Sequence, residues 1–237
     1  MNASVRTTRE GDEVTDDLRV VDVWPEFGAR GKETVTLRHV LLHTAGVPGL
    51  PADTTAADLC DWDTMCAVIA DAELWWEPGT RLGYHAKTSG FLVGEILRRA
   101  TGDPISTLLR ERLTGPLDVA DQVHFGVGAA RIYSALLGHV DGVELVSPAR
   151  RAAMATVAFA GTDEVMGFPT SWGYGYSPSR PSGRGTPGSV FGMVGMNGSA
   201  AYADIDSGVA AAVMRNRFTG DFATIERIDR LIEDELS

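Results

Sequence analysis

Hydrophobic spacing changes character once along this chain, near Gly161, and that switch restricts what it can fold into. Before it, apolar residues recur at three- and four-residue intervals, as in Leu92, Val93, Ile96, Leu97 and Ala100, which places them on one face of a helix. After it, glycine, proline and serine dominate. Residues 199–203 and 209–214 then read as two strands joined by the tight turn Asp206-Ser207-Gly208. Helices followed by strands predict a mixed α/β (α+β) fold in a single domain over 1–237, with 18–160 mainly helical and 161–237 carrying the sheet strands and a last helix.

Punctuation residues supply the boundaries. Residues 1–17 are polar and acidic without period and read as a frayed start. Thr36 has the place of an N-cap, with Val35 and Val40 spaced as a hydrophobic staple for a short helix over 37–43. A helix over 54–70 would turn Leu59, Trp62, Cys66 and Ile69 inward. Gly102 closes the helix that follows Tyr84, and Asp103-Pro104 caps the next, with Ile105, Leu108, Leu109 and Leu113 on one face. Helices over 131–137 and 148–155 follow. Trp172, Tyr174 and Tyr176 alternate as in a strand, 179–188 reads as a flexible loop, and Asp221 caps a final helix with Phe222, Ile225, Ile228, Ile232 and Leu236 as its buried stripe.

Charge and composition exclude some partners. A formal charge of -11 with no basic cluster argues against nucleic acid, because phosphate binding needs Lys and Arg. No run of about 18 apolar residues occurs and the first residues are polar, so neither a membrane span nor a leader is expected, and the cytoplasm is the expected location. Cys60 and Cys66, six apart, lie on different helical faces and read as core thiols. His39 and His43 share an i, i+4 face, but no zinc-protease glutamate lies between them and no third ligand is evident, so no metal and no cofactor is expected.

Chemistry concentrates at Pro78-Gly79, a turn that delivers Tyr84 and His85 to the mouth of a helix. Gly83 reads as relaxing the backbone there, so that the phenol projects from a loop, while Glu95, Arg98 and Arg99 take the solvent face of the helix. Tyr84 and His85 are the candidate proton-transfer groups, histidine having a pKa suited to neutral pH.

Trp24-Pro25-Glu26-Phe27 and residues 36–46, 84–95, 130–148, 191–199 and 203–216 together resemble the serine β-lactamase and penicillin-binding-protein-like family, in particular its carboxylesterase branch. The resemblance implies an antiparallel sheet flanked by helices, a helical region beside it, and an acyl-transfer site. It also implies a serine one helical turn before a lysine, a proton-moving tyrosine, and a late strand with Lys-Thr-Gly or His-x-Gly. Tyr84 matches the tyrosine. The two lysines do not match: Ala29 stands three before Lys32 and Tyr84 three before Lys87, so no Ser-x-x-Lys occurs. Met193 stands where the late strand would carry lysine or histidine. The matched region begins late, and the expectation is that the family's first strands and nucleophile helix are missing. There is no Gly-x-Ser-x-Gly either.

Two functional expectations follow. The first is a degenerate family member, a pseudoenzyme that binds a small apolar or aromatic molecule or catalyses non-acyl chemistry. Its ligand would lie among Trp172, Tyr174, Met193, Gly195, Met196, Asn197 and Ser199, with the Met196 N–H resembling half of an oxyanion hole and glycines 192, 195 and 198 letting a ligand approach the backbone. The alternative is a serine hydrolase, carboxylesterase or β-lactamase-like, present as a truncated chain or needing a second chain for Ser and Lys. Either way, bared apolar surface and a strand edge predict a homo-oligomer.

Overall fold

Short capped helices and antiparallel hairpins account for most of the architecture. The structure, a computed structural model, describes residues 4–6, 13–55, 57–117, 129–184, 186–195, 198–214 and 221–236. In chain order the elements are β1 (Ser4–Arg6), β2 (Glu13–Thr15), α1 (Val20–Val23), a 3-10 turn (Pro25–Gly31), α2 (Leu37–Leu41), α3 (Trp62–Asp71), α4 (Ser89–Thr101), α5 (Ile105–Leu109), α6 (Ala129–Leu137), α7 (Pro148–Ala155), β3 (Phe159–Thr162), β4 (Pro169–Trp172), β5 (Val190–Val194), β6 (Ala200–Asp204), β7 (Val209–Val213) and α8 (Ala223–Leu236). The class is mixed α/β with antiparallel sheets and packed helices. Two compact units divide the chain: Met1–Ile105 with Ala158–Tyr174, and Ser106–Val157 with Gly175–Ser237.

In the first unit, Thr36 caps α2 through a reciprocal pair of bonds. Its hydroxyl accepts the His39 N–H, and its own N–H donates to His39 Nδ1, both at 3.3 Å. Val35 and Val40 are buried beside it. The helix stops at Leu41, and His43 takes a left-handed φ of 57°, so His39 and His43 do not share a helical face as the spacing predicts. The helix expected over 54–70 is also shorter. Asp61 accepts the Thr64 N–H and starts α3 afresh, which leaves Leu59 exposed. Where a frayed start is expected, Ser4–Arg6 and Glu13–Thr15 pair as antiparallel strands.

Leu92 and Ile96 of α4 join Val20, Trp24, Phe27, Val40 and Ile69 in the core, and Gly102 ends the helix at φ 82°. Glu95 departs from the amphipathic reading. It is fully buried and accepts bonds from Trp62 Nε1 (2.8 Å), Arg98 and Arg99, whose guanidiniums hold its carboxyl down at about 2 against the opposing cost of burial. Three charge-assisted donors let a carboxylate sit where periodicity alone expects solvent.

The second unit is built on the antiparallel order β5-β6-β7. Side chains alternate across it. Phe191, Ala203 and Ala210 meet Leu136 and Leu137 of α6 and Met154 and Ala155 of α7, while Val190, Tyr202 and Ala211 meet Ile232 of α8. Within residues 179–188, read as a flexible loop, Arg180 is instead buried. Its guanidinium donates to Asp229 (2.9 Å), Asp204 (3.3 Å) and Tyr202 Oη (3.1 Å), and Ser182 donates to Asp229. Tyr176 follows β4 outside any strand, and β3, which starts at Phe159, lies partly in the stretch read as helical. Among the described residues no helix is long and apolar enough to cross a membrane.

Candidate functional site

Tyr84 sits on a short extended segment fixed from both sides. On one side, Gly79 at φ 82° turns the chain and its N–H reaches Thr44 O (3.0 Å), and the Gly83 N–H reaches His43 O (3.1 Å). Gly83 has a different task from the one read in the sequence: its backbone lies against the Trp76 ring, and a Cβ there would collide with the indole. On the other side, the Glu164 N–H donates to Leu82 O (2.8 Å) and the Tyr84 N–H to Asp163 Oδ2 (2.9 Å). Asp163 is almost fully buried, and its second oxygen accepts the N–H groups of Val165 and Met166, both at 2.8 Å. One carboxylate thus caps the β3–β4 turn and holds the tyrosine's backbone.

His85 is fully buried, and both its ring nitrogens are committed to backbone. Val47 N–H donates to Nε2 (3.1 Å), and Nδ1 lies 2.6 Å from Gly83 O, which requires the Nδ1–H tautomer. Burial lowers its pKa to about 4. With both ring nitrogens bonded to backbone, this imidazole braces the loop that carries Tyr84. His43 accepts the His85 N–H on Nδ1 (3.3 Å), leaving its proton on Nε2, and burial lowers its pKa to about 3.

An aromatic group closes around the tyrosine. Trp172, at the end of β4, stacks on Tyr84 with centroids 5.5 Å apart and planes 10° from parallel, while His43 meets Tyr84 edge-on at 4.9 Å and Trp172 edge-on at 4.4 Å. Tyr84 itself is half-buried. Tyr174 lies beyond, under the Arg38 guanidinium (5.3 Å), which pairs with buried Asp16 at 2.6 Å. The structure therefore brings Tyr84, His85 and Trp172 together within one unit and adds His43 and Asp163.

The other candidates belong to the second unit. Met193 is half-buried on β5 opposite Ala201, and Gly195 and Ser199 pinch a turn through the Gly195 N–H to Ser199 O bond (2.8 Å). Met196 and Asn197 lie outside the described residues. Among the described residues no group of three or more His, Cys, Asp or Glu could hold a metal. A cleft of about 310 Å³ in the first unit is lined by Trp24, Cys66, Glu95, Arg98 and Arg99 among others, and includes none of the candidates.

Asp163 and Trp76 escaped sequence reasoning. Asp163-Glu164 before Gly167 signals a turn, but nothing in the sequence ties that turn to Tyr84, 79 positions away.

The Beta-lactamase family profile matches residues 8–129 and 119–234, and the chain belongs to that family. It is 43% identical over 110 residues to the esterase/beta-lactamase LipL of Mycobacterium tuberculosis, a match that takes in 45% of this chain and 24% of that relative's length. Among solved structures, a family VIII carboxylesterase superposes with a TM-score of 0.82 at 27% identity, over 93% of this chain and 75% of the other. A penicillin-binding protein homolog from Caulobacter crescentus gives 0.78 at 29%, over 92% and 76%. These findings overturn the expectation of a degenerate, nucleophile-less binder. The family match runs along nearly the whole chain and the relatives are esterase and β-lactamase proteins, so the missing Ser-x-x-Lys does not by itself signify lost chemistry.

Proposed function

We propose that this chain works in a serine hydrolase of the carboxylesterase or β-lactamase-like kind, with Ser and Lys supplied by polypeptide outside these 237 residues, either contiguous with them or on a second chain. The observation that carries the reading is Tyr84, the family's proton-moving residue by resemblance, held through its backbone by Asp163 and through its ring by Trp172 and His43, and presented half-exposed in an aromatic wall. In acyl transfer the serine oxygen attacks the carbonyl carbon, the bond to the leaving oxygen breaks, and a proton must pass from the one oxygen to the other. Tyr84 Oη is this chain's group for that passage. A phenol whose backbone and ring are both fixed loses little entropy in reaching its place.

Trp172 and Tyr174 are the proposed ligand walls beside Tyr84, and by the family resemblance Met193, Gly195, Met196, Asn197 and Ser199 are proposed as ligand-binding residues of the late strand. With neutral histidines and the Trp172 ring beside Tyr84, an uncharged, apolar substrate is the better fit. Pairing two copies of this chain would not complete the site, since neither carries a Ser-x-x-Lys.

The test is to express the reading frame extended upstream of Met1, or this chain together with a neighbouring Ser-x-x-Lys polypeptide, and to follow 4-nitrophenyl butyrate hydrolysis and fluorophosphonate labelling. Labelling of one serine in the completed protein, absent from the 237-residue chain alone, supports the proposal. No labelling in any form would overturn it.

A further inference from the structure

The Trp172 indole N–H is a buried donor with nothing to donate to. Its residue is 6% exposed, and among the described residues Nε1 has no hydrogen-bond acceptor. Trp62 and Trp76 of the same unit behave otherwise, donating to Glu95 (2.8 Å) and Thr44 O (3.4 Å). Leaving such a group unsatisfied is costly, and a free side chain would rotate to avoid it. Trp172 is not free. Its backbone pairs with Phe159 across the hairpin, the Ala158 N–H donates to its carbonyl (2.8 Å), Tyr84 stacks on its face and His43 stands against it edge-on. The packing that holds Tyr84 holds an unspent donor with it.

We infer that Trp172 Nε1–H binds the carbonyl oxygen of an uncharged, aromatic or apolar ester seated against Tyr84. The word ester rests on the hydrolase reading; the carbonyl acceptor does not. A neutral carbonyl suits the surroundings better than a carboxylate. Both neighbouring imidazoles are neutral at pH 7, and the guanidinium of Arg38 is committed to Asp16 and to the face of Tyr174. Among the described residues, none of the rings packed around Tyr84, those of His43, His85 and Trp172, brings a positive charge to offset the desolvation of an anion. Trp172 is thus assigned to substrate binding and orientation, with proton transfer left to Tyr84.

The experiment uses the 237-residue chain labelled with ¹⁵N at its indoles, the Trp172 resonance being identified by its loss in Trp172→Phe. Acetophenone is titrated as the probe, ethylbenzene as its match without the carbonyl, and benzoate as the charged analogue. The expected result is a downfield shift of the Trp172 Nε1–H with acetophenone only, and about a 2- to 10-fold weaker acetophenone affinity in Trp172→Phe with ethylbenzene affinity unchanged. Equal shifts with acetophenone and ethylbenzene, no shift with either, or tighter binding of benzoate would overturn the inference. Should the variant fold poorly, triple-resonance assignment of the wild-type chain identifies the Trp172 signal, and the wild-type titration then decides. Failure of fluorophosphonate labelling would leave the ketone result standing, so the two readings fail separately.

Discussion

Acid should loosen the tyrosine's frame well before it reaches the carboxylates. His43 and His85 are neutral and buried, with pKa values lowered by burial to about 3 and about 4, against about 6.5 in the unfolded chain. Between those limits the unfolded state binds more protons. The stability these histidines contribute is therefore complete above about pH 6.5 and is lost as pH falls toward 4. At pH 4.5, two units below the unfolded value, each contributes a loss of about 2.5 kcal/mol, and both together about 5 kcal/mol. That is comparable with the whole stability of a small domain. The rings stand 5.8 Å apart, so a first proton makes the second harder to add, and protonating His85 Nε2 also removes the acceptor of the Val47 N–H. Glu95, Asp204 and Asp229 have lowered pKa values, so their contribution is complete above the unfolded carboxylate values of about 4 to 4.5 and falls away below them, at the lower edge of this window. Urea titrations followed by tryptophan fluorescence at pH 7.0 and 4.5 should show a large drop in midpoint, and His85→Gln should remove about half of the dependence. A midpoint unchanged between pH 7 and pH 5 would refute the buried neutral pair.

Three further outcomes concern packing and charge. Arg180→Met leaves the carboxylates of Asp204 and Asp229 buried without their cation and should cost about 3–5 kcal/mol by calorimetry, with the loss smaller when Asp229→Asn accompanies it. Gly192→Ala drives a Cβ into Tyr202 and to 2.5 Å from Ala201 O across the β5–β6 ladder, and should cost about 1–3 kcal/mol in thermal unfolding or leave the protein insoluble. Glu95→Gln weakens four charge-assisted bonds at once and should destabilise by about 1.5–3 kcal/mol in urea titrations at pH 7.

Elements whose signals are local were legible in the sequence. Thr36 with its flanking valines, Gly102 after a periodic helix and the hairpin around Asp206-Ser207-Gly208 each act within a few residues, and each stands as read. What failed needed long-range partners. Glu95 reads as solvent-facing until Trp62 and the two arginines close over it, and Arg180 reads as loop until Asp229, 49 residues on, receives it. The site divides the same way. Tyr84 could be picked out because a Pro-Gly turn precedes it and a helix follows. Asp163 and the brace made by His85 could not, because their bonds to Tyr84 and Val47 span distant segments. The expectation of a degenerate binder fails for another reason: it equates the absence of a nucleophile from these residues with loss of the chemistry, and absence from one stretch says nothing of the assembled protein.

The most direct test is Tyr84→Phe in the completed protein that the proposed function describes, with kcat and KM for 4-nitrophenyl butyrate measured beside the unfolding midpoint. The variant keeps the ring that stacks on Trp172 and meets His43, so it should fold with an unchanged midpoint and a similar KM. Loss of the hydroxyl should lower kcat by about 10²-fold or more, the scale of one positioned proton-transfer group. A variant with kcat within about twofold of the parent would contradict the account, leaving Tyr84 a packing residue and placing the proton's path elsewhere.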